Sequence, residues 1–562
     1  MQDSPSSAAP KRPGQPAASP PDEALPSNYK WKVLSTVIFG IFMIILDTTV
    51  VNVAFQTLRE DFGGNLADTQ WIISIYVLAL GISTPMSGFL ANRFGAKKIY
   101  LGGLGLFALG SLLCGLSPSL SLLIAFRAIQ GIGGGIAAPL GTALLLQAFP
   151  PREQGVALGL FGIAALVAPA IGPILGGWLV DLQLWRVIFF INPPIGLIGV
   201  LLGQRFLHEH QSDYKPSFDL VGMITEIIGF GAILYAASSA ADRGWTSPTT
   251  LTWLAVGAVG LLVFAVVELF VAKTPLLDLR LFGNRVFMNA SLLGYVSMVA
   301  LFGAEFLMPV YLQALRGRTA LETGLILLPM AITGGICVAL SGRIYDKVGP
   351  RPLMVGGFAI LMVNTWQFSQ IQANTSIGWI VFLLALRGLA LGLTVQTTMV
   401  TALSVVARRD LPRGASLTNA TRQVVQSIGV AVLATVLASA ISPEIQALQQ
   451  QFSQGPRPGN GQPAGICEPV PVAWVGATSA GRGSSFSNVA TEPSVQKQGP
   501  TLPPQIGDMV QRACRENIAG FERAYTVTFY AAFVALLLGL LLPGWPAKWA
   551  GRQAVDVPGT PS

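Results

Sequence analysis

Residues 88–98, GFLANRFGAKK, recur in altered form at residues 342–351, GRIYDKVGPR, with Gly342 lying 254 positions after Gly88. Each copy follows a long apolar block and combines glycine with basic residues. A second pair, REQG at 152–155 and LPRG at 411–414, recurs at an offset of 259. The similar offsets indicate two related halves. Tandem halves are typical of transporters with a substrate site between them, although channels are also built from repeats.

The rest of the chain is dominated by apolar blocks long enough to cross a bilayer, which takes about 20 residues. We find fourteen, at about 32–54, 71–91, 99–117, 119–148, 155–180, 187–207, 219–241, 251–272, 287–312, 321–342, 351–371, 377–404, 415–441 and 523–544. The predicted fold is an all-α membrane protein with 14 transmembrane helices, formed by two six-helix halves plus two central additional helices. The predicted units are an N-terminal tail (1–31), a first bundle (32–207), the additional helices (208–286), a second bundle (287–544) and a C-terminal tail (545–562).

Composition and charge support a membrane protein and exclude several other classes. Apolar residues make up 52% of the chain and charged residues 11%, which is too few charges for a soluble enzyme. The net charge of +8 does not indicate nucleic acid, because the basic residues lie in short runs between apolar blocks. Alternate short loops hold fifteen against five Lys and Arg residues. This bias predicts cytoplasmic termini in a bacterial inner membrane.

The cysteine and histidine pattern predicts no metal site, and no nucleophile–base set or phosphate loop suggests an enzyme. The polar stretch 442–522 is expected outside the cytoplasm, mostly as a disordered linker. It carries Cys467 and Cys514, which can form a disulfide there or remain free thiols.

Ionisable residues inside predicted spans are costly and often functional. Asp47 and Arg127 are 80 residues apart in the first and fourth spans, and Glu305 and Arg387 are 82 apart in the equivalent spans of the second half. We predict two pseudo-symmetric carboxylate–arginine couples that bind and release protons, because an approaching arginine lowers the pKa of a buried carboxyl. Static charge neutralisation is the alternative. Three other charges lie nearer the inner ends, where snorkelling or interface pairing explains them: Glu226, Glu268 and Arg422.

The repeated loops are predicted to gate the inner side, since glycine allows close helix approach and the charges can interact with helix ends; setting the topology alone is the alternative. The gating candidates are Gly88, Asn92, Arg93, Gly95, Lys97, Lys98, Arg343, Asp346 and Lys347.

At these motifs the chain resembles the major facilitator superfamily, specifically its fourteen-span drug:proton antiporter family. The matching stretches are Leu46–Ala54, Gly88–Lys98, Arg127–Gly131, Ala168–Gly177 and Trp185–Gly196, in the family's order. Asn92, Gln56 and Ala168 depart from the family's usual Asp, Pro and Gly. The resemblance implies that the kinked, glycine-rich fifth span seals the interface between the halves, through Pro169, Gly172, Pro173, Gly176 and Gly177.

The resemblance further implies proton-driven export of amphipathic, often cationic drugs, with no cofactor and with a periplasmic adaptor protein as a candidate partner. Substrate contacts suggested by residue type are Asn52, Gln130, Phe302 and Phe306. A dedicated exporter of a native lipid, metabolite or peptide is the first alternative. A non-transporting receptor or assembly factor is the second, although exporter motifs in both halves disfavour it.

Overall fold

A computed structural model describes residues 28–63, 66–150, 153–209, 219–272, 275–407, 410–442, 467 and 504–542. These residues form helices and no strand. The first half contains α1 (Tyr29–Asp61), α2 (Leu66–Ser83), α3 (Met86–Phe94), α4 (Ala96–Gly115), α5 (Leu120–Ala148), α6 (Gln154–Asp181), α7 (Trp185–Phe190) and α8 (Asn192–Phe206). The two central additional helices are α9 (Leu220–Arg243) and α10 (Pro248–Val266), and α10 continues into a π-helical turn (Val267–Val271).

The second half begins with a short 3₁₀ segment (Leu279–Gly283) and α11 (Arg285–Pro309), which ends in a π-helical turn (Val310–Leu315). It continues with α12 (Ala320–Val348), α13 (Pro350–Phe368), α14 (Ile377–Leu403), α15 (Leu411–Ser439) and α16 (Pro504–Leu540).

The helices confirm the all-α membrane fold, but only part of the predicted span count. Within the described residues, twelve helices are long and apolar enough to cross a bilayer, and α2 with α3 makes a thirteenth span bent by 51°. The bend follows Pro85, where proline removes a backbone donor. The remaining predicted span corresponds to α13, which is less apolar because it carries Arg351, Asn364 and Gln367. The count of fourteen therefore stays a prediction.

One predicted boundary is wrong, and one predicted span contains a break in its helix. The final helix begins at Pro504 rather than near residue 523, so the last part of the predicted 442–522 loop is helical. The first part of this helix is polar, so the sequence shows no apolar block there. The sixth span is split at Ile191 into α7 and α8, where Pro193 and Pro194 begin a new helix.

The two halves meet along two lines of helix packing. On one line α6 packs along α12, and on the other α3 and α5 pack against α15. The additional helix α9 lies against both α2 and α15, so it contacts both halves, while α10 packs mainly against α9. Side chains of α10 such as Val259 and Leu262 are exposed, as expected for a lipid-facing helix. We call the end that bears residues 92–98 and 343–351 the basic-loop side.

Candidate functional site

The carboxylate of Asp47 lies at the centre of a buried polar cluster in the first half. Its Oδ2 is 2.5 Å from Nη1 of Arg127. Its Oδ1 accepts hydrogen bonds from the side-chain amides of Gln130 at 2.8 Å and Asn192 at 2.9 Å. These four side chains come from α1, α5 and α8, and each is at most 2% exposed. We call them the Asp47 cluster.

Three further contacts fix the position of Arg127 in this cluster. Its Nε donates to the carbonyl of Ile72 at 3.1 Å, and Nη1 also donates to Oε1 of Gln130 at 2.9 Å. The ring of Tyr76 covers the guanidinium at 4.0 Å. The helical spacing of Arg127 and Gln130, three residues apart, places both on one face of α5 towards Asp47.

A further acceptor, the hydroxyl of Ser111, positions the amide of Asn192. Its Nδ2 also donates to Oγ of Ser111 at 3.0 Å, and that hydroxyl donates to the carbonyl of Phe189 at 2.8 Å. Composition and spacing assigned no role to Asn192 or Ser111. The sequence signal for Asn192 was its place in the Trp185–Gly196 stretch that resembles the family, directly before two prolines and at the break between α7 and α8.

The cluster surrounds a buried carboxylate with three donor side chains. A buried ion pair is tolerated when additional hydrogen bonds satisfy its remaining polar atoms, and Asp47 has two amide donors besides the arginine. The structure thus joins the predicted Asp47–Arg127 couple, and its proton role stays a prediction.

Arg387 occupies the corresponding place in the second half with a different set of partners. Its Nη2 donates to the carbonyl of Ala300 at 2.8 Å, and Nη1 is 3.5 Å from Oδ1 of Asn364. The rings of Phe368 and Tyr525 flank its guanidinium at 5.5 and 5.8 Å. The side chain of Glu305, its predicted partner, lies outside the described residues.

The predicted substrate contacts are distributed unevenly. Asn52 is exposed and Phe306 is half-buried. Gln130 is completely buried and bonded within the Asp47 cluster, so in this structure it supports the ion pair and does not line open space. The side chain of Phe302 lies outside the described residues.

One contact between the halves on the basic-loop side is built around Asp346. Its carboxylate accepts the backbone N–H groups of Gly155 and Val156 at 3.0 and 3.2 Å, which are at the start of α6. An acid at a helix N-terminus is favoured by the helix dipole. Beside it, a Cβ added at Gly342 would lie 2.6 Å from the carbonyl carbon of Gly155, so the backbones of α6 and α12 touch here.

The first repeat makes an equivalent contact without a carboxylate. A Cβ added at Gly88 would lie 3.0 Å from Cα of Arg413. Oγ of Ser416 donates to the carbonyl of Thr84 at 2.8 Å. Asn92, in the place equivalent to Asp346, is 9% exposed. Both repeats therefore lie at a contact between halves on the basic-loop side.

The basic residues of the two loops have different surroundings. Lys97 donates from Nζ to the carbonyl of Gln204 at 2.9 Å, and the backbone N–H of Lys98 is 3.3 Å from Oε2 of Glu209. Gly95 has a φ of 101°, a backbone conformation that glycine adopts readily. The remaining basic candidates lie at the surface, with Arg93 over the ring of Phe94 at 5.7 Å and both Arg343 and Lys347 exposed.

The small residues of the fifth span need a correction. They were expected to contact the other half, but a Cβ at Gly172 would meet the side chain of Thr49, and one at Gly176 would lie 3.1 Å from the carbonyl of Val50. Both glycines thus pack against α1 of their own half. Pro173 does reach the other half, near Gly324 of α12. In the same helix Pro169 is half-buried and Gly177 is buried.

The close contact between α6 and α12 uses earlier glycines that sequence reasoning missed. A Cβ at Gly159 would lie 2.8 Å from the carbonyl of Val338, and one at Gly162 would lie 2.6 Å from Cγ1 of the same residue. With Gly155, these residues recur at i, i+4 and i+7, which places them on one helix face. That spacing was readable in the sequence.

The protein therefore consists of two related bundles that meet through repeated loops. The first bundle contains a buried ion pair. The profile of the Major Facilitator Superfamily matches residues 37–430. The chain belongs to the major facilitator superfamily.

Relatives within the superfamily confirm the resemblance to its drug:proton antiporter family. The chain is 31% identical over 409 residues to the lincomycin resistance protein LmrB of Bacillus subtilis, covering 72% of this chain and 85% of the relative. It is 30% identical over 425 residues to the multidrug resistance protein B homolog of Mycobacterium tuberculosis, covering 75% and 79%. An uncharacterized MFS-type transporter of B. subtilis, YhcA, is 36% identical over 404 residues, covering 72% and 76%.

Solved structures agree on the fold. A bacterial homolog of the human lysosomal transporter Spinster, crystallised inward-facing, aligns with a TM-score of 0.52 over 92% of this chain and 97% of its own, at 15% identity. The proton:xylose symporter XylE aligns with a TM-score of 0.52 over 76% and 91%, at 14% identity. The protein is therefore a multi-pass membrane transporter of this superfamily.

Proposed function

We propose that the protein is a proton-coupled antiporter that exports amphipathic, lipophilic small molecules, many of them cationic, by alternating access. The observation that carries this proposal is the Asp47 cluster, a fully buried carboxylate whose charge depends on one arginine and two amides. The printed names of two relatives, which refer to lincomycin and multidrug resistance, support the substrate class.

The coupling follows from elementary electrostatics. In the present arrangement Arg127 stabilises the negative form of Asp47. Rocking of the halves that lengthened this contact would leave a carboxylate in a low-dielectric site, where a proton neutralises it. Restoring the contact would expel the proton. Protons entering from one side and leaving on the other would then drive substrate in the opposite direction.

The basic-loop side is proposed to face the cytoplasm of a bacterium, with both termini on that side. The excess of Lys and Arg in its short loops supports this orientation. The contacts of Gly88 with α15 and of Gly342 with α6 would then close the cytoplasmic entrance. A periplasmic adaptor protein remains a proposed partner on the other side.

Transport in proteoliposomes tests the function. Purified full-length protein would be reconstituted with a panel of lipophilic cations and lipids, with and without a pH gradient. We expect cation movement that requires the gradient and is collapsed by a protonophore. Movement of lipids alone would favour a dedicated exporter. Binding without movement of any compound would contradict the proposal and favour a receptor.

A further inference from the structure

The additional helices α9 and α10 carry two acids that the Asp47 cluster does not use. Glu226 in α9 is 0% exposed and Glu268, in the π-helical turn after α10, is 1% exposed. Because these residues lie near the inner ends of their spans, the sequence suggested snorkelling or pairing at the interface. Their complete burial contradicts snorkelling, since a snorkelling side chain keeps its charged group in water, and pairing stays a prediction.

The packing of α9 places both acids in one interface. Gly222, Glu226 and Gly229 are spaced i, i+4 and i+7, so they share one face of α9. A Cβ at Gly229 would lie 2.9 Å from the backbone nitrogen of Leu261, and one at Gly222 would lie 3.1 Å from Oε1 of Glu268. Glu226 therefore lies between α9 and α10, about one helical turn, or roughly 6 Å along the axis, from the level of Glu268.

The hydrogen bonds of these acids are incomplete. Neither carboxylate oxygen of Glu226 has a hydrogen-bond partner in the described part of the chain, and Oε2 of Glu268 has none there either. Oε1 of Glu268 accepts the backbone N–H of Leu276 at 3.0 Å. A buried carboxylate without a partner costs several kcal/mol if it is charged. A proton removes that cost, so the geometry of Glu226 calls for a bound hydrogen ion.

Charged groups around the pair define where the proton comes from. Asp219, at the start of α9, and Asp278, before the 3₁₀ segment, are half-buried on the basic-loop side. Arg280 donates to the carbonyl of Leu269 at 3.3 Å. Of the neighbouring helices, α2 has one charged residue, Asp68, in its first turn, far from this end. These acids offer a polar route from the basic-loop side to Glu268.

The remaining neighbour, α15, links the pair to the contact between the halves. Arg413, in the first turn of α15, is close enough to attract both Glu268 and Asp278, and its Cα lies against the position of a Cβ on Gly88. The second arginine of α15, Arg422, donates to Oγ1 of Thr398 at 2.8 Å. A charged Glu268 attracts Arg413, and a protonated one does not. Since α9 packs against helices of both halves, this attraction acts across the moving interface.

We propose that Glu226 and Glu268 form a proton-binding site, separate from the Asp47 cluster, whose occupancy from the basic-loop side adjusts the contact that Arg413 makes between the halves. The ligand is a hydrogen ion carried by Glu226, with Glu268 as the neighbouring carboxyl group nearer the basic-loop side. The proposal of proton binding is based on the burial of Glu226 and Glu268 and on their missing hydrogen bonds. Only its effect on flux rests on the proposed antiport.

Infrared spectroscopy of the full-length protein in liposomes tests the binding. Spectra would be compared between about pH 5 and about pH 9, the range in which shifted carboxyl groups titrate, for wild type, E226Q, E268Q and E322Q. Glu322 is the matched control, because it is an exposed acid that caps α12. We expect a band of protonated carboxyl at neutral pH that E226Q loses and E322Q retains.

Several outcomes would overturn the site. The band could persist unchanged in both E226Q and E268Q, or adding sodium or potassium ions at constant pH could abolish it, which would indicate a metal cation instead. Circular dichroism and size-exclusion chromatography would establish folding, and E268Q serves if E226Q does not fold.

Flux measurements separate this proposal from the antiport proposal. In proteoliposomes held at a constant pH difference, we expect E268Q to retain gradient-driven export but to lose the dependence of its rate on the absolute pH at the basic-loop side. A pH dependence equal to wild type would contradict the link to Arg413. Loss of the infrared band in E226Q, together with no gradient-driven export by wild type, would leave the proton site standing and defeat the proposed function.

Discussion

The two halves use the same buried arginine in different ways. Arg127 forms an ion pair with Asp47 and shares it with two amides. Arg387 instead bonds to the carbonyl of Ala300 and lies between two aromatic rings, and it forms no ion pair within the described residues. Repetition therefore conserved the cation and its helix position, whereas the environment diverged. We infer that the first half carries the coupling and the second half supports it.

Replacing each arginine with uncharged glutamine should give the largest difference between the halves. R127Q leaves Asp47 buried without its cation, which costs about 3–5 kcal/mol of stability. R387Q removes a buried charge that, among the described residues, has only uncharged hydrogen-bond partners, the carbonyl of Ala300 and Asn364, and glutamine can still reach these, so we expect a cost of about 1 kcal/mol or less. Thermal unfolding of the two purified variants gives the comparison. Equal destabilisation would show that the halves are electrostatically equivalent.

The glycine contact on the basic-loop side gives a second, intermediate effect. G342A forces a Cβ to within 2.6 Å of the Gly155 carbonyl carbon, and overpacking of this kind costs about 1–3 kcal/mol. Single cysteines introduced on the basic-loop side should be labelled faster in this variant, because this side would be open more often. The matched control is G356A in α13, where a Cβ would meet nothing within 4 Å. A control that opened the protein equally would refute the role of this contact.

A smaller effect is expected from exchanging the polar residues of the two repeats. D346N removes the charge that accepts the N–H groups of Gly155 and Val156, a helix-terminal interaction of about 0.3–1 kcal/mol. N92D adds a carboxylate to the equivalent position near α15. We expect D346N to increase labelling of the basic-loop side by up to about fivefold and N92D to reduce it. The same direction of change in both would break the proposed equivalence.

The sequence predicted more of the architecture than of the site. The repeat and the apolar blocks predicted the two bundles and the Asp47–Arg127 couple, because span length and membrane charge are strong constraints. Asn192 and Ser111 were missed, since hydrogen bonds between distant helices leave no local pattern. Gly172 was expected between the halves but contacts Thr49, because a run of small residues does not say which neighbour it faces. Glu226 was misjudged because proximity to a helix end does not report burial.

The most direct measurement concerns the proton on Asp47. Purified protein in a weakly buffered solution with a pH indicator would be mixed with tetraphenylphosphonium, a lipophilic cation. We expect wild type and the control D61N to release protons on binding, from molecules in which Asp47 is separated from Arg127 and carries a proton before the cation binds. Asp61 is at the end of α1, where its carboxylate accepts a hydrogen bond from Trp185. D47N should bind the cation and release none. Proton release by D47N equal to that of wild type would contradict the account.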